Sequence, residues 1–190
     1  DIDPRGRHFR VNREKITFRD GARDSLIQCL TANAKTKDGL FASLVIMDEY
    51  AQARNTAGKN GADLKNVLTT SMGPRRSPLT VVITTASDVV DGPFAHELDG
   101  VLKVLRGEAE NDRMFASVFM PDVDDAEDDP KTWAKVQPHL GVTVRPDYYA
   151  NEYASAQLSA ENMLAFRTKL LNVFSSNEKK AWFSYEQARD

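Results

Sequence analysis

The chain has 190 residues, of which 41% are hydrophobic and 28% are charged, enough for one sizeable hydrophobic core or two small ones. Its 25 basic and 28 acidic residues give a formal net charge of -3, which excludes a uniformly basic protein that coats nucleic acid but allows a local basic patch. No apolar run approaches the roughly 18 residues that a membrane span needs, so we expect no membrane partner.

The amino-terminal segment is predicted to form a hairpin or a pair of sheet strands. Residues 15–18 alternate polar and apolar side chains, Asp20 and Gly21 form a turn signal, and residues 25–30 follow as a second strand. Residues 1–23 hold seven basic and four acidic residues, which we interpret as a solvated edge. The single cysteine, Cys29, cannot form an internal disulfide and is expected to be a small core residue of a protein from a reducing compartment.

The next segment has the pattern of a parallel crossover. The apolar run of residues 44–47 predicts a strand buried on both faces, and residues 79–83 predict a second such strand. Between them, apolar residues recur at helical spacing from residue 64 to residue 72, and Gly73 with Pro74 stops the pattern. Strand, helix and strand in about 40 residues indicate a right-handed parallel unit.

Downstream of the crossover, residues 94–105 predict a helix that ends at Gly107, and residues 113–120 predict another strand. Residues 122–129 hold six acids and no base, which indicates a mobile surface loop. The loop lacks the glycine and the glutamate of a calcium loop.

The remaining residues are predicted to be helical. Asp129 and Pro130 suit the start of one helix, residues 147–157 predict a second, and residues 159–174 predict a third with Ser159 as its cap. Residues 181–183 suggest the start of a further element. The histidines, which are His8, His96 and His139, have no spacing for a triad or a metal cluster.

Four polar side chains follow the two predicted parallel strands. Asp48 and Glu49 end the first strand, and Thr84 and Thr85 follow the second, so all should lie at the sheet edge where ligands bind. In nucleotide hydrolysis one acid holds Mg²⁺ through its water shell and the next deprotonates the attacking water, while hydroxyls sense the γ-phosphate. The alternative is an ordinary acidic turn and a Ser/Thr helix cap.

Several motifs carry a resemblance to one family. Residues 44–49 resemble a Walker B motif, and residues 81–87 resemble the Thr-Thr-Ala coupling motif of tailed-bacteriophage terminase large subunits. Further segments resemble that family in the same order: the Arg-x-Pro-Leu of residues 76–79, a Trp-x-x-x-Asn-Pro-x-Leu-Gly pattern in residues 133–141, and a helix with Leu-Asn in residues 166–172 followed by Trp182.

The resemblance implies an α/β fold: part of a P-loop NTPase (ASCE-type) parallel sheet with flanking helices, plus a small carboxyl-terminal helical linker region. Residues 1–121 would form the ATPase part, and residues 122–190 the acidic loop and linker before a nuclease domain. The implied function is the ATP-driven motor that packages phage DNA into the capsid.

Roles for individual residues also follow from the resemblance. Asp48 would coordinate Mg²⁺, Glu49 would be the catalytic base, and Thr84 and Thr85 would couple nucleotide state to movement. Arginines in such rings can act on a neighbouring subunit's phosphate, and the candidates here are Arg54, Arg75 and Arg76. Implied partners are ATP, double-stranded DNA, the portal protein, the small terminase subunit and further copies in a ring, in the bacterial host cytoplasm and transiently at the procapsid portal.

Departures from the family pattern limit the activity that we expect of this chain by itself. No Gly-x-x-x-x-Gly-Lys-Ser/Thr loop occurs, and Gly58-Lys59-Asn60 does not supply one, so we expect this chain alone not to hydrolyse ATP and the loop to lie upstream. Gln137 replaces the usual Asn. Two alternatives stay open: a helicase-like, nucleic-acid-stimulated ATPase, and a non-catalytic prophage remnant that acts as a binding module.

Overall fold

A computed structural model describes residues 3, 8–20, 23–30, 40–56 and 59–176. The chain divides into two compact units, residues 1–33 and residues 34–190. The predicted division after residue 121 concerns the parent protein's domains and stays a prediction. Among the described residues, no helix is long and apolar enough to cross a membrane.

The first unit is an antiparallel sheet of three strands, with β2 in the centre. The strands are β1 (Phe9–Val11), β2 (Lys15–Asp20) and β3 (Arg23–Gln28). The pairing of Asp20 with Arg23 closes β2 and β3 into the predicted hairpin. Cys29 is exposed, so its prediction as a core residue is wrong. The side chains of residues 24–28 are exposed as well, and no second layer covers them among the described residues of this unit.

The second unit contains the predicted parallel crossover. Strand β4 (Leu44–Asp48) pairs in parallel with β7 (Leu79–Ile83), with Leu44 opposite Leu79 and Asp48 opposite Ile83. The connection consists of a 3₁₀ turn (Tyr50–Gln52), the short antiparallel pair β5 (Asn55–Thr56) and β6 (Lys59–Asn60), and helix α1 (Gly61–Ser71).

The parallel pair is covered on one face. Val45 is buried, whereas Leu44 is 52% and Ile46 60% exposed. The covering segment is the end of α1 with the turn that follows it, where the buried Met72 sulfur lies 3.6 Å from the Thr80 hydroxyl. The prediction that β4 is buried on both faces is therefore wrong, because helix α1 covers one face and the side chains of the other stay open among the described residues.

Helix α2 (Pro93–Leu105) confirms the next predicted helix. Pro93 opens it and Leu98 is buried, while Gly107 follows its end with a φ of 75° that favours glycine. The predicted strand over residues 113–120 is wrong: this stretch has no ladder partner among the described residues, and Phe115 is 93% exposed. A stretch of strand-favouring residues does not by itself make a strand where no neighbouring strand edge is available.

Three helices and one irregular turn form the carboxyl-terminal part. They are α3 (Pro130–Val136), α4 (Pro146–Ala156), α5 (Ala160–Ala165) and a π-helical turn (Phe166–Leu170). Asp129 caps α3 and Ser159 caps α5, as predicted. The single helix predicted for residues 159–174 instead changes to π geometry and ends at residue 170, and residues 181–183 lie outside the described residues.

Aromatic residues from these helices form one hydrophobic cluster. Trp133 and Val136 of α3 pack with Tyr149 and Ala156 of α4 and with Phe166 and Leu171 around the π turn. Trp133 is 6% exposed and serves packing. The cluster holds the π turn against α4, since the Tyr149 hydroxyl also donates a hydrogen bond of 3.1 Å to the Leu170 carbonyl.

The acidic loop is tied to these helices by ion pairs. Lys135 of α3 binds the carboxylates of Asp122 and Asp125, and Arg167 binds Glu127 at 2.8 Å. The Trp133 indole also donates a hydrogen bond of 2.8 Å to the Glu127 carbonyl. Three of the loop's residues thus pair with side chains of neighbouring elements, and the predicted mobility of this surface loop stays a prediction.

Candidate functional site

The candidate site lies at the carboxyl edge of the parallel pair. Asp48 is the last residue of β4, and the backbone N–H of Glu49 donates to the Ile83 carbonyl at 2.8 Å. Glu49 has a φ of 52° and a ψ of 39°, a left-handed conformation that is uncommon for a residue with a side chain. This conformation turns the chain sharply from the strand into the 3₁₀ turn.

Hydroxyl side chains join the turn after β4 to the segment after β7. The Thr84 hydroxyl accepts a hydrogen bond of 3.0 Å from the Ala51 N–H and donates one of 2.8 Å to the Thr85 carbonyl. The Ser87 hydroxyl donates to the Ala51 carbonyl at 2.6 Å, and Ser87 is only 1% exposed. Thr84 and Ser87 therefore hold the backbone of the site.

Thr85 differs from Thr84 because its hydroxyl meets a candidate catalytic side chain. It donates to Glu49 Oε2 at 3.4 Å and accepts from Lys169 Nζ at 3.2 Å. Lys169 Nζ also lies 3.5 Å from Glu49 Oε2. Three side chains from three separate segments thus meet at one point of the sheet edge.

Sequence reasoning missed Lys169. Its position 84 residues after Thr85 leaves no spacing that could link the two, and a lysine in a helical segment is common on any protein surface. The only sequence signal was the resemblance of the helix around Phe166, which included Lys169 without assigning it a role.

Asp48 suits a hydrated Mg²⁺ ion. Its side chain is exposed and makes no hydrogen bond or ion pair with the described residues, so the carboxylate is available to an external cation. Because Mg²⁺ keeps several waters and often takes only one or two carboxylates beside substrate phosphates, a single acid here fits it. No group of three metal-ligating side chains exists in the described part of the chain.

The candidate arginines do not join this group of side chains. Arg54 pairs with Asp88 at 3.1 Å, and Arg75 Nε donates to the Phe41 carbonyl at 2.8 Å. Arg75 and Arg76 precede β7, so the parallel register places them at the end of the pair opposite Asp48. A role for any of them on a neighbouring subunit stays a prediction.

Tyr50 anchors the turn directly behind Glu49. It is 5% exposed, its ring meets Phe94 edge-on at 6.0 Å, and the Lys65 ammonium lies 5.6 Å from the ring centre. Burial raises the pKa of Tyr50 to about 12, and the negative charge of Glu97 adds to the rise. The phenol is therefore neutral at physiological pH and contributes no charge beside the site.

Comparison with known proteins identifies the family. Residues 5–103, just over half of the chain, match the family described as Terminase large subunit, ATPase domain. The chain belongs to this family. It is also 31% identical over 156 residues to Protein YmfN of Escherichia coli (strain K12), which covers 82% of this chain and 33% of that protein.

A solved structure shows the same fold. The crystal structure of the HK97 bacteriophage large terminase matches with a TM-score of 0.67 and 21% sequence identity, over 87% of this chain and 33% of that one. The chain therefore spans about a third of the length of both relatives. The terminase resemblance and the mixed α/β, P-loop NTPase-like fold are confirmed, and the family is one of nucleotide-using ATPases.

Proposed function

We propose that this chain supplies the metal-binding and water-activating half of the ATPase in a terminase large subunit. The observation that carries the proposal is the meeting of Asp48, Glu49 and Thr85 at one carboxyl edge of a parallel pair, with Glu49 Oε2 within 3.4 Å of the Thr85 hydroxyl. Ligands of open α/β sheets bind outside this edge, and acid and hydroxyl side chains suit phosphate chemistry there.

Asp48 would hold Mg²⁺ through its water shell, and Glu49 would be the base. When bound, ATP would supply the phosphoryl group, and Mg²⁺ would offset its negative charge. The Glu49 carboxylate would orient the attacking water and accept its proton as the water oxygen bonds to the γ-phosphorus and the bond from that phosphorus to the ADP oxygen breaks. The Thr85 hydroxyl would help to fix the orientation of that carboxylate.

Thr84 and Thr85 would couple nucleotide state to the backbone. The Thr84 hydroxyl bridges the Ala51 N–H and the Thr85 carbonyl, so a shift of the turn after Glu49 would move the segment that follows β7. In this proposal Thr84 transmits the change of nucleotide state by joining two backbone segments, and Thr85 transmits it by its direct hydrogen bond to the base Glu49.

The wider proposal is the packaging of double-stranded DNA. It includes a ring of copies with arginines such as Arg54, Arg75 or Arg76 acting between subunits, and contacts with the portal protein and the small terminase subunit in the host cytoplasm. Family membership supports these partners, and because the chain spans a third of its relatives, they are proposed for the whole protein.

The experiment is DNA-stimulated ATP turnover by the full-length gene product, since these 190 residues hold no phosphate-binding loop. Glu49→Gln should lower kcat by about 10² to 10⁴ because the amide cannot accept the proton. Binding of a fluorescent ATP analogue should persist. The matched control is Glu110→Gln, which changes an exposed glutamate outside the site and should leave kcat unaltered.

Two outcomes would contradict the proposal. A Glu49→Gln protein that turns over ATP like the wild type would remove Glu49 as the base. A full-length wild type that hydrolyses no ATP with DNA and Mg²⁺ present would favour the non-catalytic binding module over a motor.

A further inference from the structure

The side chain of Lys169 is the one cation, among the described residues, that meets the proposed base. Its Nζ lies 3.5 Å from Glu49 Oε2 and donates to the Thr85 hydroxyl at 3.2 Å, and that hydroxyl donates to the same Oε2 at 3.4 Å. The three groups form a closed triangle around one carboxylate oxygen. The other oxygen, Oε1, accepts no hydrogen bond from the described residues and is left for a water.

The backbone around Lys169 is held firmly. Phe166 and Leu171 are 3% and 1% exposed in the hydrophobic cluster, and the buried Thr168 donates to the Leu164 carbonyl at 2.8 Å. The π turn is closed by the Leu171 N–H, which donates to the Phe166 carbonyl five residues earlier at 3.1 Å. Single π turns are frequent at functional sites because they redirect side chains.

Residues after the π turn also return to the sheet. The Ser175 N–H donates to the Ser87 carbonyl at 3.4 Å, and the ring of Phe174 lies 6.2 Å from that of Phe94. The chain is therefore anchored on both sides of Lys169. The residues before Lys169 pack in the hydrophobic cluster, and the residues after the π turn contact the segment after β7 and helix α2.

We propose that Lys169 is a positioning residue for Glu49, through which the carboxyl-terminal helices act on the ATPase site. Its ammonium group holds Oε2 against Thr85 and so aims Oε1 at the water. A movement of the π turn relative to the sheet withdraws the ammonium group, so that Glu49 loses the orientation that it needs as a base. This role rests on the proposed function of Glu49.

The first test is the kinetics of Lys169→Met in the full-length protein. We expect kcat to fall about 10-fold or more with the KM for ATP changed less than about twofold, because misplacing a catalytic group slows the step without weakening substrate binding. Lys169→Arg should restore most of kcat, since a guanidinium group can reach both oxygens. Lys131→Met is the control, because Lys131 makes no ion pair in the described part of the chain.

Thermal unfolding separates this role from a structural one. An ion pair between half-exposed groups adds little stability, so Lys169→Met should melt within about 1 °C of the wild type. Wild-type kcat in Lys169→Met, or the same loss in Lys131→Met, would overturn the proposal. So would a kcat loss that Lys169→Arg fails to restore.

A second readout does not depend on turnover. Acylation of Lys169 by an amine-reactive ester, followed by mass spectrometry, should proceed severalfold faster in Glu49→Gln and Thr85→Val than in the wild type. The first change removes the negative charge that holds the Lys169 ammonium group, and the second removes the hydroxyl that accepts its hydrogen bond. Lys131 should react equally in all three proteins. Unchanged Lys169 reactivity would overturn the contact itself.

The two measurements together separate the failures. If the wild type hydrolyses ATP and Lys169→Met has the same kcat, the positioning role is overturned and the proposed function of Glu49 stands. An inactive wild type whose Lys169 reactivity depends on Glu49 overturns the proposed function and the positioning role with it, although the contact exists.

Discussion

Glu49 combines the proposed chemistry with an uncommon backbone conformation. A left-handed residue with a side chain costs on the order of 1 kcal/mol, and the neighbouring hydrogen bonds offset that cost. The Glu49 N–H bonds to the Ile83 carbonyl at 2.8 Å, and both backbone groups of Ala51 bond to hydroxyls after β7. The site is thus held by the segment that also carries Thr85.

Tyr50, the next residue, should make stability depend on alkaline pH. Its pKa is raised by burial to about 12 from an ordinary value of 10.0, so the unfolded chain loses the proton first. The buried neutral phenol contributes its full stabilisation of the folded state below pH 10. This stabilisation is lost as the pH rises through 12, so the free energy of unfolding falls by about 2 kcal/mol. Tyr50→Phe should lack this dependence.

Urea unfolding of both proteins at pH 9 and pH 11.5 measures the difference. Tyr148→Phe serves as the control because Tyr148 is 46% exposed, and it should follow the wild type. If wild type and Tyr50→Phe lose stability in parallel over this range, burial of the phenol is not the cause.

At the scale of elements, short helices depend on their caps. Helix α3 has seven residues and supplies both Trp133 of the cluster and Lys135, the partner of the acidic loop. A helix of this length is unstable by itself, so its first turn matters. The Asp129 carboxylate accepts the Lys131 N–H at 2.8 Å and stabilises that turn.

Asp129→Ala should therefore lower the free energy of unfolding by about 1 kcal/mol. The matched control is Asp128→Ala, which removes the neighbouring exposed acid without touching the cap. Chemical denaturation at pH 7 compares the two variants. Equal effects would mean that the loop's total charge, and not the cap, determines the change.

At the scale of the whole second unit, the hydrophobic cluster and the site are joined through the π turn. Phe166 contacts Tyr149 and Tyr153, with ring centres 6.4 and 5.4 Å apart, and Lys169 lies three residues further along. A substitution that loosens the cluster should consequently shift Lys169 and so change the orientation of Glu49, although Glu49 lies on another element.

Phe166→Ala should lower the free energy of unfolding by about 3 to 5 kcal/mol and should also lower kcat, whereas Lys169→Met lowers kcat alone. Leu158→Ala is the control, since Leu158 is 82% exposed, and should change stability by less than about 0.5 kcal/mol. Denaturation curves and turnover of the same samples give both values. A destabilised Phe166→Ala protein with wild-type kcat would show that the turn's position does not affect the base.

Local patterns in the sequence predicted much of the fold. Periodicity identified β4, β7 and the helix between them, turn residues identified the hairpin, and Asp129 and Ser159 identified two helix starts. These features depend on neighbouring residues, which is why one sequence is enough to find them. The common sheet edge of Asp48 and Thr85 follows from the same patterns once the strands are taken as parallel.

Features that depend on distant neighbours were predicted poorly. The strand expected over residues 113–120 and the buried Cys29 were both wrong, because each depends on which other surface lies alongside. The exposed Leu44 and Ile46 belong to the same class: an apolar run shows that burial is favourable, not that a covering layer exists.

The sequence by itself determined the family, the parallel crossover and the residues at its carboxyl edge, because strand and helix periods and short motifs are properties of contiguous residues. Only the tertiary structure decided that Glu49, Thr85 and Lys169 meet, since the contact joins residues 84 positions apart with four helices between them. Its geometry depends on a π turn held in place by a cluster of aromatic side chains, and no local pattern records how such a cluster packs.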